Sequence, residues 1–260
     1  MFAFNSNPTT TNTITSNPTT SKCRVKFDGK LIETTVTDKG STIDEWVHEI
    51  LSMYDGKRMV VGLDIEWKPN SSREDNNKAK AATLQLCTGE KCLIVQLLHT
   101  DCIPQPLKSF LMDSNFTFVG VRVAEDIAKL NDDYGIECNK SADVRELAMR
   151  QWPGRFVGKS NLKTLAFEVL GVSMKKPPEV RRSDWDKRVL DENQVEYACI
   201  DAYVSYRVGH KLLVESGGDN YKLLHMLGLD TASFKSVVFL LLLFYLFFIL
   251  LYEWYQVSAL

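Results

Sequence analysis

Apolar and polar positions along the chain fall into blocks of different period, and the changes of period predict its elements. "CRVKFDGKLIETTVT", Cys23 to Thr37, holds two β-branched runs on either side of Asp28-Gly29, the signature of a tight hairpin. "STIDEWVHEIL" then sets Ile43, Trp46, Val47, Ile50 and Leu51 at helical spacing, with Ser41 or Thr42 placed to cap the helix. "RMVVGLDIEW", Arg58 to Trp67, is an apolar run of strand length. A polar loop from Lys68 to Lys80 follows, and then "AATLQLC" and "KCLIVQL" as two strands joined by Thr88-Gly89-Glu90. The three runs predict an antiparallel meander.

The second half alternates. A short helix is expected near Gln105 to Met112, a buried strand at "FTFVGV", and a helix at "AEDIAKLNDDY". "SADVRELAMRQW" reads as a short extended piece leading into a helix. "NLKTLAFEVLGV" is a helix with Asn161 near its cap and Gly171 as its stop. The longest helix is "DENQVEYACIDAYVSYRVGHKLL", with Asp191 at its N-cap. Strands in a meander, then strands alternating with helices, predict an α/β fold: a mixed sheet, antiparallel meander plus parallel strands, flanked by helices.

The ends differ from this pattern. Residues 1–21 are mostly Thr, Asn, Ser and Pro, too polar to offset their ordering entropy, and are expected to form a disordered tail. A transit peptide is the alternative, although the stretch has no arginine. Ser236 to Tyr252 is apolar all round and carries no charge, near the shorter end of the roughly 17–25 residues that span a membrane. Lys235 before it and Glu253 after it fit a tail anchor that leaves the rest of the chain in the cytoplasm or nucleus. Translated intron sequence is the competing explanation. The expected division is thus 1–21 as a tail, 22–228 as the catalytic domain and 229–260 as the apolar tail.

With 260 residues, 45% of them hydrophobic, the chain can bury one sizeable core. Its net charge of -2 supplies no global basic field, so a polyanionic partner would need a local patch or bound cations. The six cysteines show no C-x-x-C pair and no histidine at zinc-finger spacing, and read as reduced thiols rather than a disulfide framework or zinc site.

Three places carry carboxylates against this apolar background. Asp64 and Glu66 are two apart on a strand and project from one face, where like charges repel unless a cation lies between them. Mg²⁺ and Mn²⁺ prefer such oxygen donors. Asp126 falls in the first turn of the helix after "FTFVGV", with Glu125 as its neighbour and rival; taken alone, an N-terminal helix charge is the better explanation of it. Tyr197 and Asp201 are i and i+4 on a helix face made of small and apolar residues, where the aspartate needs a partner. That partner is either a metal or the tyrosine.

The combination is more specific than its parts. D-x-E on the first core strand, an aspartate after a later strand, and Y-x-x-x-D on the last long helix resemble the three motifs of the DEDDy group of DnaQ-like, RNase H-fold 3′–5′ exonucleases. The flanks "VGLDIEW", "FVGV", "SDWDKRVLDENQVEYACIDAY" and the "FDGKLIETTVT" hairpin look like the Werner-syndrome-type exonuclease domain, in particular its stand-alone plant form, over about Lys22 to Leu213. The resemblance implies that Asp64, Glu66, Asp126 and Asp201 hold two Mg²⁺ or Mn²⁺ ions, with Asp64 bridging them, and that Tyr197 orients the attacking water. It implies release of nucleoside 5′-monophosphates from a nucleic-acid 3′ end, with DNA favoured by the flanks and an RNase D-like trimming of RNA as the alternative. One departure stands out: Arg122 occupies a position that is usually glycine in the family, where it would crowd the site or add a phosphate contact. Lys175, Lys176, Arg181 and Arg182 form a basic stretch able to meet phosphates, and Trp67 can stack on a terminal base. A solvated loop and a core tryptophan are the plain alternatives. A catalytically weak, membrane-attached interaction protein that keeps the nuclease fold is the competing reading of the whole.

Overall fold

Asp28 and Gly29 both adopt positive φ, 48° and 73°, the backbone twist that a two-residue hairpin demands and that Gly tolerates best. They join β1 (Thr20–Phe27) to β2 (Lys30–Thr37) in full antiparallel register, so that Val25 faces Ile32. The computed structural model describes residues 20–56, 58–68, 79–152, 154–156 and 160–215. β1 therefore begins two residues before the expected domain start at Lys22. Of the polar loop after Trp67 only Lys68, Ala79 and Lys80 are among these residues, and the apolar stretch 236–252 is outside them, as are residues 1–19. The chain divides into two units, Met1–Leu212 and Leu213–Leu260; the first is the α/β unit, and the second is described only at 213–215. Among the described residues no helix is long and apolar enough to cross a membrane.

The meander is present as β3 (Met59–Glu66), β4 (Thr83–Thr88) and β5 (Lys91–Gln96), antiparallel throughout. β2 pairs with β5 in parallel, β6 (Phe116–Gly120) with β3 in parallel, and β7 (Ser141–Asp143) with β6 in parallel. The sheet thus has seven strands in the order β1-β2-β5-β4-β3-β6-β7. On one face lie α1 (Gly40–Ser52), α2 (Gln105–Met112) and α3 (Val123–Tyr134), whose Ile43, Phe110 and Leu130 pack with Val61, Leu63 and Ile65 of β3. On the other lie α4 (Val144–Gln151), α5 (Leu162–Leu165) and α7 (Glu192–His210), packed with Val60. The short α6 (Pro178–Arg181) precedes α7. Helices on both faces of a mixed sheet form the predicted three-layer α/β architecture.

Asn161 accepts a hydrogen bond from Thr164 N, and Gly171 ends that segment in the left-handed conformation, as the pattern indicates. The cap of α1 is different from expectation. Neither Ser41 nor Thr42 caps it: the helix begins at Gly40 behind Lys39, and Asp101 Oδ1 accepts from the Gly40 N–H at 2.8 Å. A side chain distant in sequence satisfies one of the free donors at the start of the helix.

Candidate active site

Alternation along β3 sends Val61, Leu63 and Ile65 to one face and Val60, Gly62, Asp64 and Glu66 to the other, the face covered by α7. Gly62 decides how closely α7 approaches. A Cβ there would lie 1.9 Å from Ala202 O and 2.7 Å from Tyr206 N, so only glycine lets the helix backbone rest on the strand. Asp201, next to that contact, is thereby brought against Asp64 and Glu66. Carboxylate oxygens of the three lie within 4.8 Å of one another. The expected convergence of the D-x-E strand and the Y-x-x-x-D helix is present.

The start of α7 is held firmly. Asp191 and Gln194 form a reciprocal capping box, and Gln194 Nε2 donates to Ser183 Oγ at 2.8 Å and to Asp184 O at 3.0 Å. Gln96 Nε2 donates to the carbonyls of Lys187 and Arg188, and Arg188 pairs at 3.1 Å with the buried Asp38. Trp185, 1% exposed, packs its ring 6.0 Å from that of Tyr197. The segment before α7 is thus stapled to the ends of β2 and β5, which fixes Tyr197 and Asp201 over β3.

The electrostatics are those of crowded acids. Burial raises the Asp64 carboxyl, with Lys176 opposing, and pushes Asp201 up to about 7, again against Lys176. Glu66 stands well above the usual carboxylate range, first through burial and then through Asp64 and Asp201. Asp126 does not belong to the 4.8 Å group, yet burial and the charge of Asp64 push it up to about 8. Each acid resists ionising first because it is buried, and Glu66, Asp126 and Asp201 resist it further because Asp64 is near. The Tyr197 phenol is raised by burial and by Asp201, Glu66 and Asp64, so it stays protonated, a donor and not a base. This donor set of clustered carboxylate oxygens, half-buried or buried, suits a hard divalent ion such as Mg²⁺ or Mn²⁺.

Lys176 is placed differently from its basic neighbours. Lys175, Arg181 and Arg182 are exposed, as a phosphate-facing stretch requires. The Lys176 ammonium instead reaches inward to 2.5 Å from Asp201 Oδ2 and sits 5.4 Å from the centre of the Tyr197 ring. Burial alone would lower its pKa; Asp201, Asp64 and Glu66 outweigh that and hold it raised. Trp67 is 38% exposed just beyond Glu66, with the Lys129 ammonium 5.5 Å above its ring. It is not a core tryptophan, and part of it reaches solvent.

Arg122 lies at φ 62°, ψ 28°, the left-handed region that glycine adopts freely and other residues adopt at a cost. This explains physically why a glycine suits the position. The strain is held by Asp143, whose Oδ2 accepts from Arg122 N at 2.9 Å while its Oδ1 caps α4 through Arg145 N at 2.8 Å. The Arg122 guanidinium pairs with Glu125, both exposed. Together they border a cavity of about 360 Å³ that Arg145, Glu146 and Arg150 also line. Replacing Arg122 by glycine removes the strain and one exposed ion pair of little worth. Arg122→Gly is expected to keep or raise both melting temperature and turnover. A large loss of turnover in a steady-state assay would instead identify the guanidinium as a phosphate contact.

Two features of the site were not anticipated from the sequence. Gly62 was not singled out, although a glycine inside an apolar strand is itself a sign of close backbone approach. The sequence pattern puts Lys176 on the substrate surface, whereas the structure puts it against the carboxylates.

The three-layer α/β unit brings acidic strand and helix residues together at the C-terminal end of the interior strand β3, and comparison with known proteins gives the family. The profile described as 3′–5′ exonuclease matches residues 35–216, and the chain belongs to that family. It is 30% identical over 200 residues to a 3′–5′ exonuclease of Arabidopsis thaliana, covering 72% of this chain and 67% of the relative. It is 28% identical over 189 residues to the bifunctional 3′–5′ exonuclease/ATP-dependent helicase WRN of Mus musculus, covering 72% of this chain and 13% of that much longer protein. Among solved structures, the fold is similar to that of Escherichia coli RNase D, with a TM-score of 0.57 at 21% identity over 75% of this chain and 50% of the other. The Werner-type resemblance and the RNase H-like fold are therefore those of the chain, and the protein is a 3′–5′ exonuclease.

Proposed function

We propose that this exonuclease is metal-dependent, removes nucleoside 5′-monophosphates from nucleic-acid 3′ ends, and prefers DNA. The observation that supports the reading best is the meeting of Asp64, Glu66 and Asp201 within 4.8 Å, with Asp126 in their electrostatic range. These four carboxylates would hold two Mg²⁺ or Mn²⁺ ions. When bound, such ions lower the pKa of water and offset charge developing on the phosphate. The protein's own residues do the rest. Tyr197, kept protonated by burial and by its acidic neighbours, orients the attacking water through its hydroxyl. Trp67 stacks on the terminal base, and Lys175, Arg181 and Arg182 meet backbone phosphates. The family's Werner-type flanks favour DNA.

Tyr197→Phe keeps the ring packed against Trp185 and removes only the hydroxyl. Turnover is expected to fall roughly 10- to 100-fold, the low end of proton-transfer and positioning effects, with unchanged metal affinity. An unaltered rate would make the tyrosine structural. Side-by-side digestion of 5′-labelled DNA and RNA strands of one sequence tests the substrate class. Faster shortening of DNA is expected, and equal or faster shortening of RNA would reverse the preference.

The domain limits 22–228 and the site of action, nucleus or cytoplasm, belong to the same proposal. So does membrane attachment through 236–252, which rests on the uncharged apolar sequence alone. Flotation with liposomes of the full chain against a chain ending at Gly228 tests the anchor. Equal behaviour of the two would overturn it.

A further inference from the structure

The carboxylate cluster already contains a cation. Lys176 Nζ lies 2.5 Å from Asp201 Oδ2, and the side-chain exposures are 29% for the lysine and 2% for the aspartate. The lysine is the ion-pair partner of Asp201 Oδ2, and the Tyr197 hydroxyl neighbours the same carboxylate. The same ammonium faces Asp64 and Glu66. It is one positive charge set against the three acids whose oxygens converge within 4.8 Å.

We propose that Lys176 is an internal counter-ion that competes with the divalent metal for Asp201. In the metal-free protein it neutralises part of the cluster; metal loading requires it to leave that oxygen. An ammonium and a divalent ion against one carboxylate oxygen repel each other at that range, so the presence of one disfavours the other. The lysine has somewhere to go. Its flexible stem is partly exposed, and the face of the Tyr197 ring lies beside it at 5.4 Å. Its backbone is less free, because Pro177 follows at φ -64° and Pro178 opens α6. The exchange is therefore a side-chain rotation on a fixed backbone. Lys176 thus sets the metal concentration at which the site fills, a role distinct from the phosphate contacts of its exposed neighbours. The proposal rests on the metal-site reading given above.

The test is a Mn²⁺ titration by calorimetry and by electron paramagnetic resonance, with no nucleic acid present, on the full chain and two variants. Lys176→Met keeps the apolar stem and removes the charge, and is expected to bind Mn²⁺ at least about tenfold more tightly than wild type. Its metal-free melting temperature should fall, and Mn²⁺ should raise it by more than in wild type. Lys176→Arg keeps the charge and is expected to bind Mn²⁺ within a few-fold of wild type. Lys176→Gln replaces the methionine variant should that one not fold. Equal or weaker Mn²⁺ binding by the uncharged variant overturns the counter-ion role while leaving the metal site standing. An uncharged variant with unchanged Mn²⁺ affinity but slower turnover at saturating metal would make Lys176 a substrate contact instead. Failure of wild type and variants alike to bind Mn²⁺ overturns the metal-site reading along with the proposal.

Discussion

Asp64→Ala is expected to reduce turnover at least about a thousandfold and to leave the metal-free fold as stable as wild type or more so. The first half follows from position. Asp64 is the carboxylate shared by the surroundings of the others: it raises Glu66, Asp126 and Asp201 alike. A metal that stabilises the transition state by several kcal/mol loses a central ligand, and each 1.4 kcal/mol or so is a factor of ten in rate. The second half follows from repulsion. Without metal, Asp64 contributes a charge that its buried neighbours resist, so removing it relieves the cluster. Gel-based exonuclease assays and thermal melting in chelator measure the two halves separately. Wild-type turnover would show that the cluster is not catalytic, and a collapse of the metal-free melting temperature would show that Asp64 is a structural residue.

Gly62→Ala is expected to damage the same site from a distance, and to do so through the fold. Its methyl group would lie 1.9 Å from Ala202 O, a backbone atom that no rotamer change can move. α7 must lift from β3, at a cost near the upper end of the roughly 1–3 kcal/mol range for overpacked cores, or above it. Because Asp201 adjoins the contact, the lift separates it from Asp64 and Glu66. A displacement of about 1 Å in a catalytic constellation costs on the order of 100-fold in rate. The variant should therefore melt several degrees lower, lose activity at temperatures where it is still folded, and bind Mn²⁺ more weakly. Activity and melting temperature close to wild type would mean that the strand and helix are not in close contact.

The sequence was informative wherever function depends on local spacing. The positive φ of Asp28 and Gly29, the shared face of Asp64 and Glu66, and the i, i+4 relation of Tyr197 to Asp201 all follow from backbone period or turn chemistry. Their convergence was expected only because the three motifs together resemble a known family. What stayed hidden depends on partners distant in the chain. Asp101, and not Ser41 or Thr42, meets a free N–H at the start of α1, which begins behind Lys39. Gly62 looks like a weak point in a strand until the backbone of α7 is laid upon it. Lys176 is indistinguishable in sequence from Lys175, Arg181 and Arg182, and only the tertiary fold turns it inward to Asp201 while the others face solvent. Arg122 departs from the family's usual glycine, but the reason a glycine suits that position, a left-handed backbone, is visible only in its φ of 62°.

The most direct measurement is the digestion of a 3′-recessed duplex labelled at the 5′ end of the shorter strand, run with Mg²⁺, with Mn²⁺ and with excess EDTA, on wild type beside Asp64→Ala. If the acidic cluster works as a metal-loaded hydrolytic centre, wild type gives a ladder of products shortened stepwise from the 3′ end in either metal. It gives no shortening in EDTA, and Asp64→Ala gives none in any lane. Shortening that persists in EDTA, or an equal ladder from Asp64→Ala, would contradict it.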